Sequence, residues 1–165
     1  MPSNPPPREA KLIRRRLNDL NSKLSALAYG RLTAKYDSRT RIFEILPGQG
    51  SISESDGFRL YDGVLVLNLK ERHIVSGGER QILAYNYQLA WPANEGAYQG
   101  SNDWIFRFDY NSSWKKSKGF AHVPHLNAHH PDPVGPNKMH YPTGVLEVDR
   151  FFEIIQAHFP QRVST

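Results

Sequence analysis

Apolar residues recur along the first third of the chain with a helical period. Ile13, Leu17, Leu20, Leu24 and Leu27 are spaced 4, 3, 4 and 3 residues apart. That spacing predicts an amphipathic helix over residues 8–29, ending near Gly30, with one stripe that must be covered. The pattern then switches to a period of two. Arg41–Leu46 alternates, Gly63–Leu69 (GVLVLNL) is β-rich, and Ile82–Trp91 is a long aromatic strand stopped by Pro92. Trp104, Phe106, Phe108 and Tyr110 fall on one face of a further strand, with Ile105, Arg107 and Asp109 on the other. Ser76-Gly77-Gly78-Glu79 predicts a tight turn, and residues 47–57 and 92–103 have loop composition. Near the end, Phe151, Phe152, Ile155 and Phe159 again have helical spacing within Val148–Phe159.

The order helix, four to six meandering strands, helix predicts an α+β domain. Its antiparallel sheet carries an N-terminal and a C-terminal helix. Residues 1–7 hold four prolines and read as a disordered lead, residues 8–30 as a basic helix, and residues 31–165 as one domain. Residues 120–143 hold five prolines and five histidines, so they are expected to be mostly loop.

Composition adds exclusions. The 165 residues contain no cysteine, which removes disulfides, thiolate metal sites and a Cys nucleophile. No run approaches the ~18 apolar residues that would span a membrane. The opening MPSNPPPREAK lacks the apolar segment of a secretory signal, so the cytoplasm is the expected compartment.

Charge is unevenly placed. The chain carries a net +5, yet residues 1–35 hold eight basic and two acidic side chains, a net of +6. Residues 36–165 hold 13 basic and 14 acidic ones, a net of −1. A basic segment on a near-neutral body is a nucleic-acid signature, because Lys and Arg neutralise phosphates and release counterions. Arg14, Arg15 and Arg16 are the candidate contacts there, and Lys115, Lys116 and Lys118 form a second small cluster. A solvated helix face is the plainer reading of the first group.

His122, His125, His129, His130 and His140 lie within 19 residues, shortly after the strand bearing Arg107 and Asp109. Imidazole exchanges protons near neutral pH, and Arg grips phosphate bidentately. Together they suit metal-independent cleavage of an RNA phosphodiester. One His would deprotonate the 2′-OH, another would protonate the leaving 5′-oxygen, and a cation would stabilise the phosphorane. Arg107 and Asp109 are two apart and so share a face; a plain salt-linked pair is the alternative. The rival chemistry is a divalent transition metal held by His125, His129, His130 and His140. Against it, H-E-x-x-H spacing is missing and Asp132 is the one carboxylate in residues 120–143. A third reading is a non-catalytic nucleic-acid-binding or adaptor protein that works through its basic helix.

The strand end R-F-D-Y-N (residues 107–111), the spaced histidines and the short closing helix resemble the TumE-type toxin family of prokaryotic toxin–antitoxin modules, over about residues 60–159. Arg107 and Asp109 fall on that family's Arg and Asp, and Asn111 on its Asn, displaced by one through Tyr110. His122, His125 and His130 fall in its histidine cluster. The resemblance implies an intracellular toxin acting on RNA and restrained by a cognate antitoxin protein. A homodimer is compatible with the same reading.

Overall fold

The structure, a computed structural model, describes residues 4–52, 57–61, 63–90, 104–113, 123–128 and 139–159. Within them the chain runs α1 (Pro7–Leu24), β1 (Leu32–Asp37), β2 (Ile42–Pro47), β3 (Phe58–Arg59) and β4 (Val66–Ser76). It continues through β5 (Glu79–Ala90), β6 (Trp104–Asn111), β7 (His125–Ala128), β8 (Met139–Pro142) and α2 (Val148–His158). The fold is α+β. Its antiparallel sheet has the order β1-β2-β4-β5-β6-β7-β8, with β3 pairing the start of β4.

The spine of the sheet is the β4–β5 hairpin, closed through Gly77 and Gly78. Both have positive φ, 62° and 86°, as a tight two-residue hairpin turn requires. From there the chain meanders, so β5, β6, β7 and β8 each pair with the strand before.

The alternation over Arg41–Leu46 predicts a strand, and β2 is there: β1 and β2 extend the sheet, with Phe43 paired to His73 of β4. One expectation is corrected. The His-rich segment 120–143 is not mostly loop over its described residues, because it supplies β7 and β8. Proline excludes helix but tolerates a sheet edge, and Pro142 sits on the terminal strand β8 opposite His125. These strands carry the sheet beyond the four to six expected.

One face of the sheet is covered by the helices. Ile13, Leu20 and Leu24 of α1 and Leu27 just after it are buried, as the stripe requires. The helix ends at Leu24 rather than near Gly30. There Ser25 turns its hydroxyl onto the Ser22 carbonyl (2.7 Å), and Leu27 is buried from a turn instead. From α2, Phe151 packs on Tyr87, Phe106 and Phe108, with ring centroids 5.5, 5.7 and 6.4 Å away. Lys23 ties the helices together through Asp149 at 2.8 Å.

Beneath α1 the covered face also holds charge. Glu71 of β4 accepts Arg16 Nε at 2.9 Å, Arg16 Nη2 at 2.5 Å and the Tyr87 hydroxyl at 2.7 Å. His73 Nε2 meets the same carboxylate at 2.7 Å, while His73 Nδ1 lies 3.1 Å from Arg80 Nη1. An arginine only donates, so Nδ1 accepts and Nε2 carries the hydrogen: His73 is neutral. Burial pushes the Glu71 carboxyl up, but hydrogen bonds from His73 and Arg16 outweigh it and hold it at about 2. Burial lowers the His73 pKa, with Glu71 opposing.

Candidate functional site

Among the described residues no helix covers the opposite face, which carries polar residues in register. Pairing across β4, β5, β6 and β7 aligns Lys70, Asn86, Asp109 and His125 in one lateral row. A second row, two residues along, aligns Asn68, Gln88, Arg107 and Asn127 across β4 to β7. Directly paired residues of an antiparallel sheet share a face, and period-two alternation keeps both rows on it.

Asp109 is the centre of this arrangement. Its Oδ1 accepts Asn86 Nδ2 at 2.5 Å. Its Oδ2 accepts both Arg107 Nε at 2.6 Å and Asn127 Nδ2 at 2.7 Å. His125 Nε2 stands 4.0 Å from the same oxygen. The other ring nitrogen, Nδ1, lies 2.8 Å from the Val123 carbonyl. A carbonyl only accepts, so Nδ1 bears the hydrogen. In the neutral ring the basic lone pair is then on Nε2, the nitrogen on the Asp109 side.

The cluster is deeply set. Asp109 is 7 % exposed, His125 3 % and Asn127 0 %, whereas the Arg107 side chain keeps 23 % of its surface. Two strands therefore supply a partly exposed guanidinium and a tautomer-fixed imidazole, with one carboxylate between them. Asn127 adds one further feature. Its Nδ2 is engaged by Asp109, and among the described residues its buried Oδ1 has no partner.

Of the residues singled out from sequence, Arg107, Asp109 and His125 are brought together. His140 is placed by register beside Asn127. His122, His129 and His130, and Lys115, Lys116 and Lys118, lie outside the described residues. Among the described residues, no group of three or more His, Asp or Glu is arranged to hold a metal ion. Asn111 ends β6, where its Oδ1 accepts the Ser113 backbone N–H at 3.0 Å and the Ser113 hydroxyl at 2.6 Å.

Arg14 and Arg15 are exposed on α1, on the far side of the sheet from Asp109. Arg16 is committed to Glu71. His73 is a buried member of that network.

Asn86 and Asn127 were not singled out from sequence. One signal for Asn86 is its place in Tyr85-Asn86-Tyr87, an amide alternating with two buried aromatics. For Asn127 it is the two-residue offset from His125.

Comparison of the chain with protein-family models, with curated proteins and with solved structures finds no match. The described residues contain no helix long and apolar enough to cross a membrane.

Proposed function

We propose that the Asp109-centred cluster cleaves RNA phosphodiester bonds without a metal, and that the chain is the toxin of a toxin–antitoxin pair. The supporting observation is the convergence of Arg107, Asp109 and His125 on the face away from the helices, with the His125 lone pair fixed at Nε2. His125 Nε2 takes the proton of a ribose 2′-OH. The freed oxygen attacks the adjacent phosphorus, and Arg107 neutralises charge on the pentacovalent phosphorane. Asp109 orients Arg107 and faces the imidazolium that forms. A second imidazole from the His cluster, His122, His130 or His140, protonates the departing 5′-oxygen. The toxin role and its antitoxin partner rest on the family resemblance alone.

The test is incubation of the purified chain with single-stranded RNA in EDTA. Cleavage is expected, with His125→Ala lowering it about 10²–10⁴-fold, the usual share of general acid–base catalysis. A 2′-deoxy substrate should resist, since it has no internal nucleophile. Full activity in His125→Ala overturns the mechanism. Activity lost in EDTA and restored by a transition metal transfers the chemistry to the His-cluster metal reading.

A further inference from the structure

The polar face does not end at Asp109. A cavity of about 520 Å³ runs from it across β5, β4 and β2 toward β1. Its polar lining comes from the same registration. Lys35, Glu44, Arg72, Ala84 and Asn111 form a third lateral row, directly beside the row of Lys70, Asn86 and Asp109. Neighbouring strands are about 4.8 Å apart, so Lys70 lies two strand spacings, about 10 Å, from Asp109. Lys35 lies four away, about 19 Å. The trough is therefore a cationic path that leads into the cluster from one side.

Its charge balance favours an anion. Lys35, Lys70 and Arg72 line it with three carboxylates, Glu44, Glu71 and Asp109. Glu71 turns its wholly buried side chain to Arg16 under α1, and Asp109 is ringed by Arg107, Asn86 and Asn127, so Glu44 is the carboxylate left to the trough. Glu44 holds Arg72 at 3.5 Å with both side chains about half exposed. Such a pair contributes little and yields to a phosphate. Asn86 and Asn111 place amides, which can both donate and accept, at the inner end of the trough. A phosphate ligand carrying polar base edges uses both features, whereas an acidic peptide uses only the cations.

We infer that this trough binds the single-stranded RNA segment flanking the scissile phosphate, with Lys70 and Arg72 on its backbone phosphates. The inference rests on the proposed cleavage site, but its test separates the two. The probe is a short fluorescein-labelled 2′-O-methyl oligoribonucleotide, which this route cannot cleave, bound to the full chain and read by anisotropy over a salt series.

Lys70→Glu and Arg72→Glu should each weaken binding about tenfold or more, and each neutral variant, Lys70→Gln or Arg72→Gln, should lower the salt slope by about one. Arg14→Glu with Arg15→Glu, on the opposite side of the sheet, should change Kd less than about twofold. The glutamine variants carry the test if charge reversal beside Glu44 prevents folding. Unchanged Kd in the trough variants overturns the inference. So does a loss confined to the Arg14/Arg15 variant, or binding of an acidic peptide in place of RNA. Cleavage of unmodified RNA is scored separately. Trough-dependent binding without cleavage upholds the trough and removes the ribonuclease reading; cleavage with trough-independent binding does the reverse.

Discussion

Arg16 and Glu71, 55 residues apart in sequence, form a two-pronged ion pair in which the carboxylate side chain is wholly buried. It turns one cation of the basic N-terminal segment from a ligand contact into a fastening between α1 and the sheet. Removing one partner of a buried pair strands the other charge. Arg16→Ala should therefore destabilise the fold by about 3–5 kcal/mol. Urea unfolding followed by circular dichroism measures this; a change below about 1 kcal/mol would contradict it.

The same network sets a pH dependence. Glu71 titrates at about 2 in the fold against an ordinary 4.5, so its stabilisation is present above 4.5 and is lost as pH falls toward 2. His73 is lowered from 6.5, so the unfolded chain binds its proton first and stability also falls as pH drops through 6.5. Tyr87 is raised well above 10 by burial and by Glu71, so stability falls again as pH climbs past 10. The melting temperature should be highest between about pH 7 and 10. A midpoint that rises on acidification from pH ~7 to ~4 would count against this assignment.

Truncation of residues 1–30 should not produce a folded protein that has merely lost its basic arm. It deletes Ile13, Leu20, Leu24 and Leu27, all buried in the core, together with the Arg16 partner of Glu71. Large-to-small changes at single core positions already cost about 2–5 kcal/mol, so loss of the whole stripe exceeds the stability of a typical domain. The expected result is an insoluble or unfolded chain. A cooperative thermal transition in the truncated protein would show that α1 is dispensable.

At the cluster, Asp109→Asn removes the charge that faces Arg107 and His125 while keeping the side-chain shape. Its amide would point an N–H group at one of the donors now satisfied by the carboxylate, at a cost of about 1–3 kcal/mol. Under the proposed function, kcat for RNA cleavage should fall about 10²-fold or more with KM little changed, because the phosphate-gripping groups remain. Steady-state kinetics on a defined oligoribonucleotide resolve the two. A change in KM alone would make Asp109 a binding residue.

Much of this was legible in the sequence, and what was not has physical reasons. The period-two run Trp104–Tyr110 correctly places Phe106 and Phe108 toward α2 and Arg107 and Asp109 away from it, because alternation is a local property. The stripe from Ile13 to Leu27 marks a covered helix for the same reason. By contrast, no local pattern tells which distant carboxylate Arg16 will meet. The strands β7 and β8 are short and edged by proline, so composition hides them; their pairing partners, not their own residues, make them strands. Asn86 and Asn127 look unremarkable alone and acquire a role only when register sets them around Asp109.

That dependence on register carries a consequence for how the chain can change. Side chains alternate, so shifting β7 by one residue against β6 would swing His125 and Asn127 toward Phe151 and bring Leu126 to the Asp109 side. A single-residue insertion inside β6 or β7 would thus destroy the polar cluster and the apolar core in one step. A longer insertion between strands leaves both intact, at a cost that grows only slowly with loop length. Variants of this protein should differ in the lengths of their connections far more freely than in the spacing of residues within a strand.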